Sequence, residues 1–130
     1  MSHDPTTVQQ RAASLMSEAD LQSCVTDLAL ALGYMVLHIR DSRGQDVEGF
    51  PDWFLLPTNP PGPPIYAELK DARGKLTEGR FDLHRGSRGA WIRGQTEWRD
   101  ALLAAGQRWV LWRPADWLSG EIERVLKGER

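Results

Sequence analysis

The 130-residue chain has a single cysteine, Cys24. One thiol excludes a disulfide framework within the chain and a Cys-rich zinc site, and it fits a reducing compartment. No stretch approaches the roughly 18 apolar residues that would suggest a membrane span. Residues 1–16 lack the charged start and apolar run of a signal peptide. The expectation is a soluble, cytoplasmic protein with no membrane partner. Charge of one sign is also scarce: 16 Lys and Arg stand against 18 Asp and Glu, a net −2. A uniformly basic nucleic-acid binder is thereby excluded. A chain that gathers its acids at one site and its bases around it is not. Internal repeats and domain linkers are lacking as well.

The length fits one domain with one real core. Composition is that of a globular protein, 41% hydrophobic and 26% charged, and six tryptophans suggest a well-anchored interior. Residues 1–16 read as a flexible or helical N-terminal arm, and 17–130 as a single domain. Ser17 reads as an N-cap, with Asp20 three residues on. Leu21, Cys24, Val25, Leu28 and Leu32 then form one helical apolar stripe, stopped by Gly33. Strands follow at Tyr34–Arg40, Pro51–Leu56 and Ile65–Lys70. Between the last two, Pro57–Pro64 holds five of the eight prolines and must be an irregular turn. A second helix covers Gln95–Ala105, with Trp98, Leu102 and Ala105 inward. A fourth strand covers Arg108–Arg113, and a last helix Asp116–Leu126. A meander of three strands followed by a helical crossover predicts an α/β fold, with a mixed four-stranded sheet flanked by helices in the order αβββαβα.

Pro51-Asp52 and Glu68-Leu69-Lys70 carry the chemistry. Alternation along the third strand sets Tyr66, Glu68 and Lys70 on one face and Ile65, Ala67 and Leu69 on the other. Two charges beside apolar neighbours on a central strand are costly unless they are paired or bind a metal. A hairpin would bring Asp52, at the start of the preceding strand, near them. Two carboxylates suit a hard cation such as Mg2+ or Mn2+, to which the Leu69 carbonyl could add an oxygen. Lys70 could orient water and offset charge building on a phosphate. The chemistry this suits is phosphodiester hydrolysis. The same text also occurs by chance as an exposed Glu–Lys pair at a strand end.

Around these residues run Ser17-Glu18-Ala19-Asp20-Leu21-Gln22, Gly33-Tyr34, Gly49-Phe50-Pro51-Asp52, Ala67-Glu68-Leu69-Lys70, Gly74-Lys75-Leu76-Thr77, Gln95-Thr96-Glu97-Trp98, Gly106 and Trp112-Arg113-Pro114-Ala115-Asp116-Trp117. In order and context this text resembles the virus-type replication-repair nuclease (VRR-NUC) family of the PD-(D/E)xK superfamily, over roughly residues 17–118. The resemblance implies a restriction-endonuclease-like core and a Mg2+- or Mn2+-dependent DNA endonuclease. Asp52 and Glu68 would be metal ligands and Lys70 the catalytic lysine. Glu18 would be an additional acid brought toward the metal, and Gln95 the glutamine that opens the helix after the active-site strand. It implies a branched, flap or Holliday-junction DNA substrate, a place in repair or recombination, and an origin compatible with a phage or its bacterial host. Cutting two strands symmetrically would favour a homodimer, with apolar surface on the last helix as its interface.

Family members pass from the Glu-x-Lys strand through a short Gly-x-Leu-Thr turn into the glutamine helix. Here Glu78–Gly94 intervenes, so where Gln95 falls depends on how this insertion folds. The insertion shows no clear period. It holds Arg80, Arg85, Arg88 and Arg93, with Phe81 and Trp91 among them. The arginines and Trp91 are candidate DNA contacts, and Arg43 before Asp52 is a weaker one. The alternative is a plain solvated loop. Three other functions stay open from sequence: a DNA-binding module without catalysis, a sequence-specific restriction or homing endonuclease on the same core, and an RNA-processing enzyme.

Overall fold

A computed structural model describes residues 5–39 and 48–128. The chain runs α1 (Pro5–Leu15), α2 (Glu18–Ala31), β1 (Met35–His38), β2 (Trp53–Leu56), β3 (Ile65–Leu69), β4 (Arg80–Asp82), β5 (Ala90–Ile92), α3 (Gln95–Ala104), β6 (Arg108–Trp112), α4 (Pro114–Leu118) and α5 (Glu121–Leu126). Four strands form one mixed sheet in the order β1-β2-β3-β6. Neighbours are antiparallel except β3 and β6, which are parallel and joined by the crossover through α3. The expected mixed four-stranded sheet with flanking helices is present.

Local signals act as their chemistry requires. Ser17 Oγ accepts from Asp20 N at 3.0 Å and Asp20 Oδ2 accepts from Ser17 N at 3.2 Å, a reciprocal cap that starts α2. Gly33, at φ +86°, takes the left-handed backbone that lets the chain leave α2 and enter β1. One face of the sheet carries the core. Leu55, Ile65, Ala67, Leu69 and Trp112 pack there with Leu21, Val25 and Ala29 of α2 and Ile122 and Leu126 of α5. The Tyr34 hydroxyl donates to the Leu126 carbonyl at 2.7 Å and ties β1 to the last helix. The opposite face bears Phe54, Tyr66 and Glu68. Phe50 stands edge-on to Tyr66 and to Trp98, which brings α3 over this side.

Several expectations change. The last helix is two, because Gly120 sits at φ +84° between α4 and α5. Its apolar residues Ile122 and Leu126 face inward, so among the large hydrophobics of this segment only Leu118 is exposed. Residues 5–15 of the arm are helical. On α3 only Gln95 is buried: Ala105 and Ala101 are exposed, while Trp98 and Leu102 are half-buried. The tryptophans are not mainly core anchors. Trp112 alone is buried, Trp91 is exposed, and the other four are half-buried. His38 is an exposed side chain stacked on Trp53 with ring centroids 4.1 Å apart. The 78–94 insertion is a two-stranded antiparallel hairpin.

Candidate active site

Register brings the two carboxylates together. Trp53 lies opposite Ala67 and Phe54 opposite Tyr66. One further step sets Asp52 opposite Glu68, and strand alternation turns both toward the face of Phe54 and Tyr66. The ladders continue past the strand ends: Ile39 N donates to Asp52 O at 2.7 Å, and Lys70 N to Trp112 O at 3.1 Å. Asp52 and Lys70 are thus held by backbone bonds on both sides of Glu68.

Glu68 is fully buried. Its Oε2 accepts from Gln95 Nε2 at 3.0 Å. Its Oε1 is equally buried and receives no N–H donor among the described residues. The neighbouring acid is Asp52, whose charge and side-chain hydrogen bond act on Glu68. Burial first, and the Asp52 charge second, push the Glu68 carboxyl from 4.5 up to about 8, while the Lys70 ammonium and the Gln95 amide pull the other way. Two carboxylates this close share a proton when nothing else lies between them, and a cation between them replaces that proton.

Gln95 does reach Glu68 despite the insertion, and the reason is a closed set of bonds with Thr77. Thr77 N donates to Gln95 Oε1 at 3.0 Å, and Gln95 N donates to Thr77 Oγ1 at 3.1 Å. Thr96 N donates to Thr77 O at 3.1 Å. With its oxygen committed to Thr77, the Gln95 amide can present only its NH2 to Glu68. Glycines make the approach close enough. A Cβ on Gly94 would overlap the Glu78 backbone, and one on Gly49 would stand 2.6 Å from the Gly94 carbonyl carbon. The two ends of the insertion and the segment before Asp52 therefore cross backbone to backbone. Thr77 is a functional candidate that sequence reasoning passed over. Its signal was the Gly-Lys-Leu-Thr text, read only as a turn.

A cleft of about 260 Å³ opens beside Asp52 and Gln95, walled by Phe50, Thr77, Ile92 and Arg93 among others. Glu18 is in the first turn of α2, where its carboxylate accepts from Gln22 Nε2 at 3.5 Å. Among the described residues no third His, Cys, Asp or Glu joins Asp52 and Glu68 in a metal-sized group. The insertion's arginines are not a free basic patch. Arg85 bonds Glu48 at 2.8 Å, Arg80 lies 3.5 Å from Glu48 and 3.6 Å from Asp82, and Arg93 lies 3.8 Å from Glu97. Arg88 is exposed, with no carboxylate partner among the described residues. Arg43 lies outside the described residues.

Comparison with known protein families, with curated proteins and with solved structures gives no match. Among the described residues no helix is long and apolar enough to cross a membrane.

Proposed function

We propose that this chain is a metal-dependent DNA endonuclease built on a restriction-endonuclease-like core of the VRR-NUC kind, acting on branched or otherwise structured DNA. The observation that carries the reading is Glu68: a fully buried carboxylate with one oxygen that receives no N–H donor, set against a second carboxylate and a lysine. A buried charge is tolerated only when paired or bound to a cation. A site kept in this form, with no apolar substitute, points to use rather than to stability.

The donor set fits Mg2+ or Mn2+, since it is oxygen only. Asp52 and Glu68 would hold the ion, with the Leu69 carbonyl as a further oxygen. When bound, such an ion polarises a phosphate and makes water more acidic. Gln95 donates to Glu68 Oε2 and orients the carboxylate, which leaves Oε1 with no N–H donor and available to an ion. Lys70 acts on Glu68 through its charge and can orient water against a phosphate or offset the charge that builds there. The half-buried aromatic floor of Phe50, Phe54 and Tyr66 limits water on this face.

The test is a cleavage panel of single strand, duplex, flap and four-way junction, with Mg2+ or Mn2+ and with EDTA. Wild type should cut at least one structured substrate only with metal. Asp52→Ala and Lys70→Ala should lose cutting by about a thousandfold or more, as removal of a group that acts in the transition state does, while DNA binding persists. Full function in Lys70→Ala without metal would identify a binding module instead. Cleavage of linear duplex at one sequence, with indifference to branches, would favour a restriction-type enzyme.

A further inference from the structure

The β4–β5 hairpin has two unlike faces. Arg80 and Ile92 are cross-strand partners on the inner one, and Ile92 is buried there. Phe81 and Trp91 are partners on the outer one, 55% and 57% exposed. Cross-strand partners share a face and stand side by side, so the two rings form one apolar surface. Neither ring is needed by the core. Both are nevertheless held. A Cβ on Gly89 would come within 2.5 Å of Phe81 Cζ, and one on Gly79 within 2.5 Å of Trp91 Cζ2, so each ring lies against bare backbone. Trp91 Nε1 donates to both Glu97 carboxylate oxygens at 3.1 Å. Side chains fixed before a partner arrives lose little freedom on binding.

Charge indicates what kind of partner this surface takes. With Arg80, Arg85 and Arg93 engaged by Glu48, Asp82 and Glu97, Arg88 is the one arginine of the hairpin with no carboxylate partner among the described residues, so phosphate attraction contributes little to the contact. Flat π faces can. We propose that Phe81 and Trp91 form a stacking platform for unpaired nucleobases, and that the DNA engaged by this protein carries a single-stranded segment next to the cleavage point. The second half rests on the nuclease reading. The geometry supports the link, because Ile92 and Arg93 of the same hairpin wall the cleft beside Asp52, which sets a stacked strand beside the site and not inside it.

The experiment is anisotropy binding of wild-type chain in EDTA to three labelled DNAs: a short oligothymidylate, its duplex with oligoadenylate, and a strand of equal length made of abasic units. Stacking contributes roughly 5- to 150-fold per base. Thymidylate should therefore bind at least about tenfold tighter than the abasic strand. Phe81→Ala and Trp91→Ala should each weaken it, and together erase the difference, with duplex affinity unchanged. The salt slope should be shallow, about −1 to −2, the value for one to three phosphates on a single strand. Equal binding of thymidylate and abasic strands by wild type overturns the proposal without needing any variant. So does a double variant that binds like wild type, or a wild-type dimer that the double variant turns into a monomer. Stacking without metal-dependent cutting refutes only the nuclease reading, and cutting without stacking refutes only the platform.

Discussion

Replacing Glu68 by glutamine tests the electrostatics of the site without requiring any catalysis. The substitution keeps the shape and removes the charge. The glutamine oxygen can still accept from Gln95, and its NH2 can donate toward Asp52 where a shared proton stands in the native pair. In the metal-free protein Glu68 titrates at about 8, against 4.5 for an ordinary glutamate. Below pH 4.5 the carboxyl is protonated whether the chain is folded or not. Between 4.5 and about 8 the unfolded chain has released this proton while the folded chain retains it, so rising pH destabilises the fold. Above about 8 the buried charge is fully present and so is its penalty. At about 1.4 kcal/mol per tenfold change in proton affinity, the interval corresponds to roughly 3–5 kcal/mol. That is a large part of the roughly 5–15 kcal/mol that holds a domain of this size together. The assay is urea unfolding followed by tryptophan fluorescence in EDTA, at intervals from pH 4 to 9. The stability difference, Glu68→Gln minus wild type, should be small at pH 4 and climb by roughly 3–5 kcal/mol by pH 9, with equal urea slopes. Mg2+ should then stabilise wild type at pH 9, by about 2.7 kcal/mol at a hundred times its Kd, and leave Glu68→Gln unmoved. A difference that stays flat across this range refutes the buried, acid-paired state of Glu68.

Thr77→Val removes the acceptor for Gln95 N and loosens the amide that fixes Glu68, so cleavage should fall about 10- to 100-fold, chiefly through weaker Mg2+ dependence. Thr77→Ser should restore it, and a metal titration of activity decides. Gly94→Ala should lower stability by about 1–3 kcal/mol, as overpacking does, because its Cβ meets the Glu78 backbone at an ordinary φ of −90°. Thermal unfolding reads this directly. Leu69→Ala, on the core face of β3, should cost about 2–5 kcal/mol in urea unfolding, while Leu118→Ala at the surface should stay within about 0.5 kcal/mol of wild type.

Alternation along Ile65–Leu69 was enough to divide β3 into a core face and a face bearing Glu68, because a strand has only two sides. Ser17 and Asp20 likewise announced the start of α2, since capping acts within a few residues of itself. The sheet, the pairing of Asp52 with Glu68 and the direction of the crossover followed from such local signals taken in order. The hairpin within 78–94 did not. Its strands are three residues each, too short to show a period, and its position depends on Gly49, Gly79 and Gly94 meeting segments far away in the chain. The split of the last helix hinged on Gly120, which could have been tolerated inside one helix.

What sequence alone determined is the chemistry available: two carboxylates and a lysine on neighbouring strands, with the alternation that aims them the same way. What only the tertiary structure decided is which groups are spoken for. Three of the insertion's arginines, Arg80, Arg85 and Arg93, are paired with Glu48, Asp82 and Glu97. Gln95 is delivered to Glu68 by Thr77 from the far side of the insertion, and four of the six tryptophans are only half-buried. The physical reason is range. Backbone periodicity and caps act over a few residues, whereas ion pairing, burial and the partnership of a buried oxygen depend on segments distant in sequence, and only the folded chain brings those together.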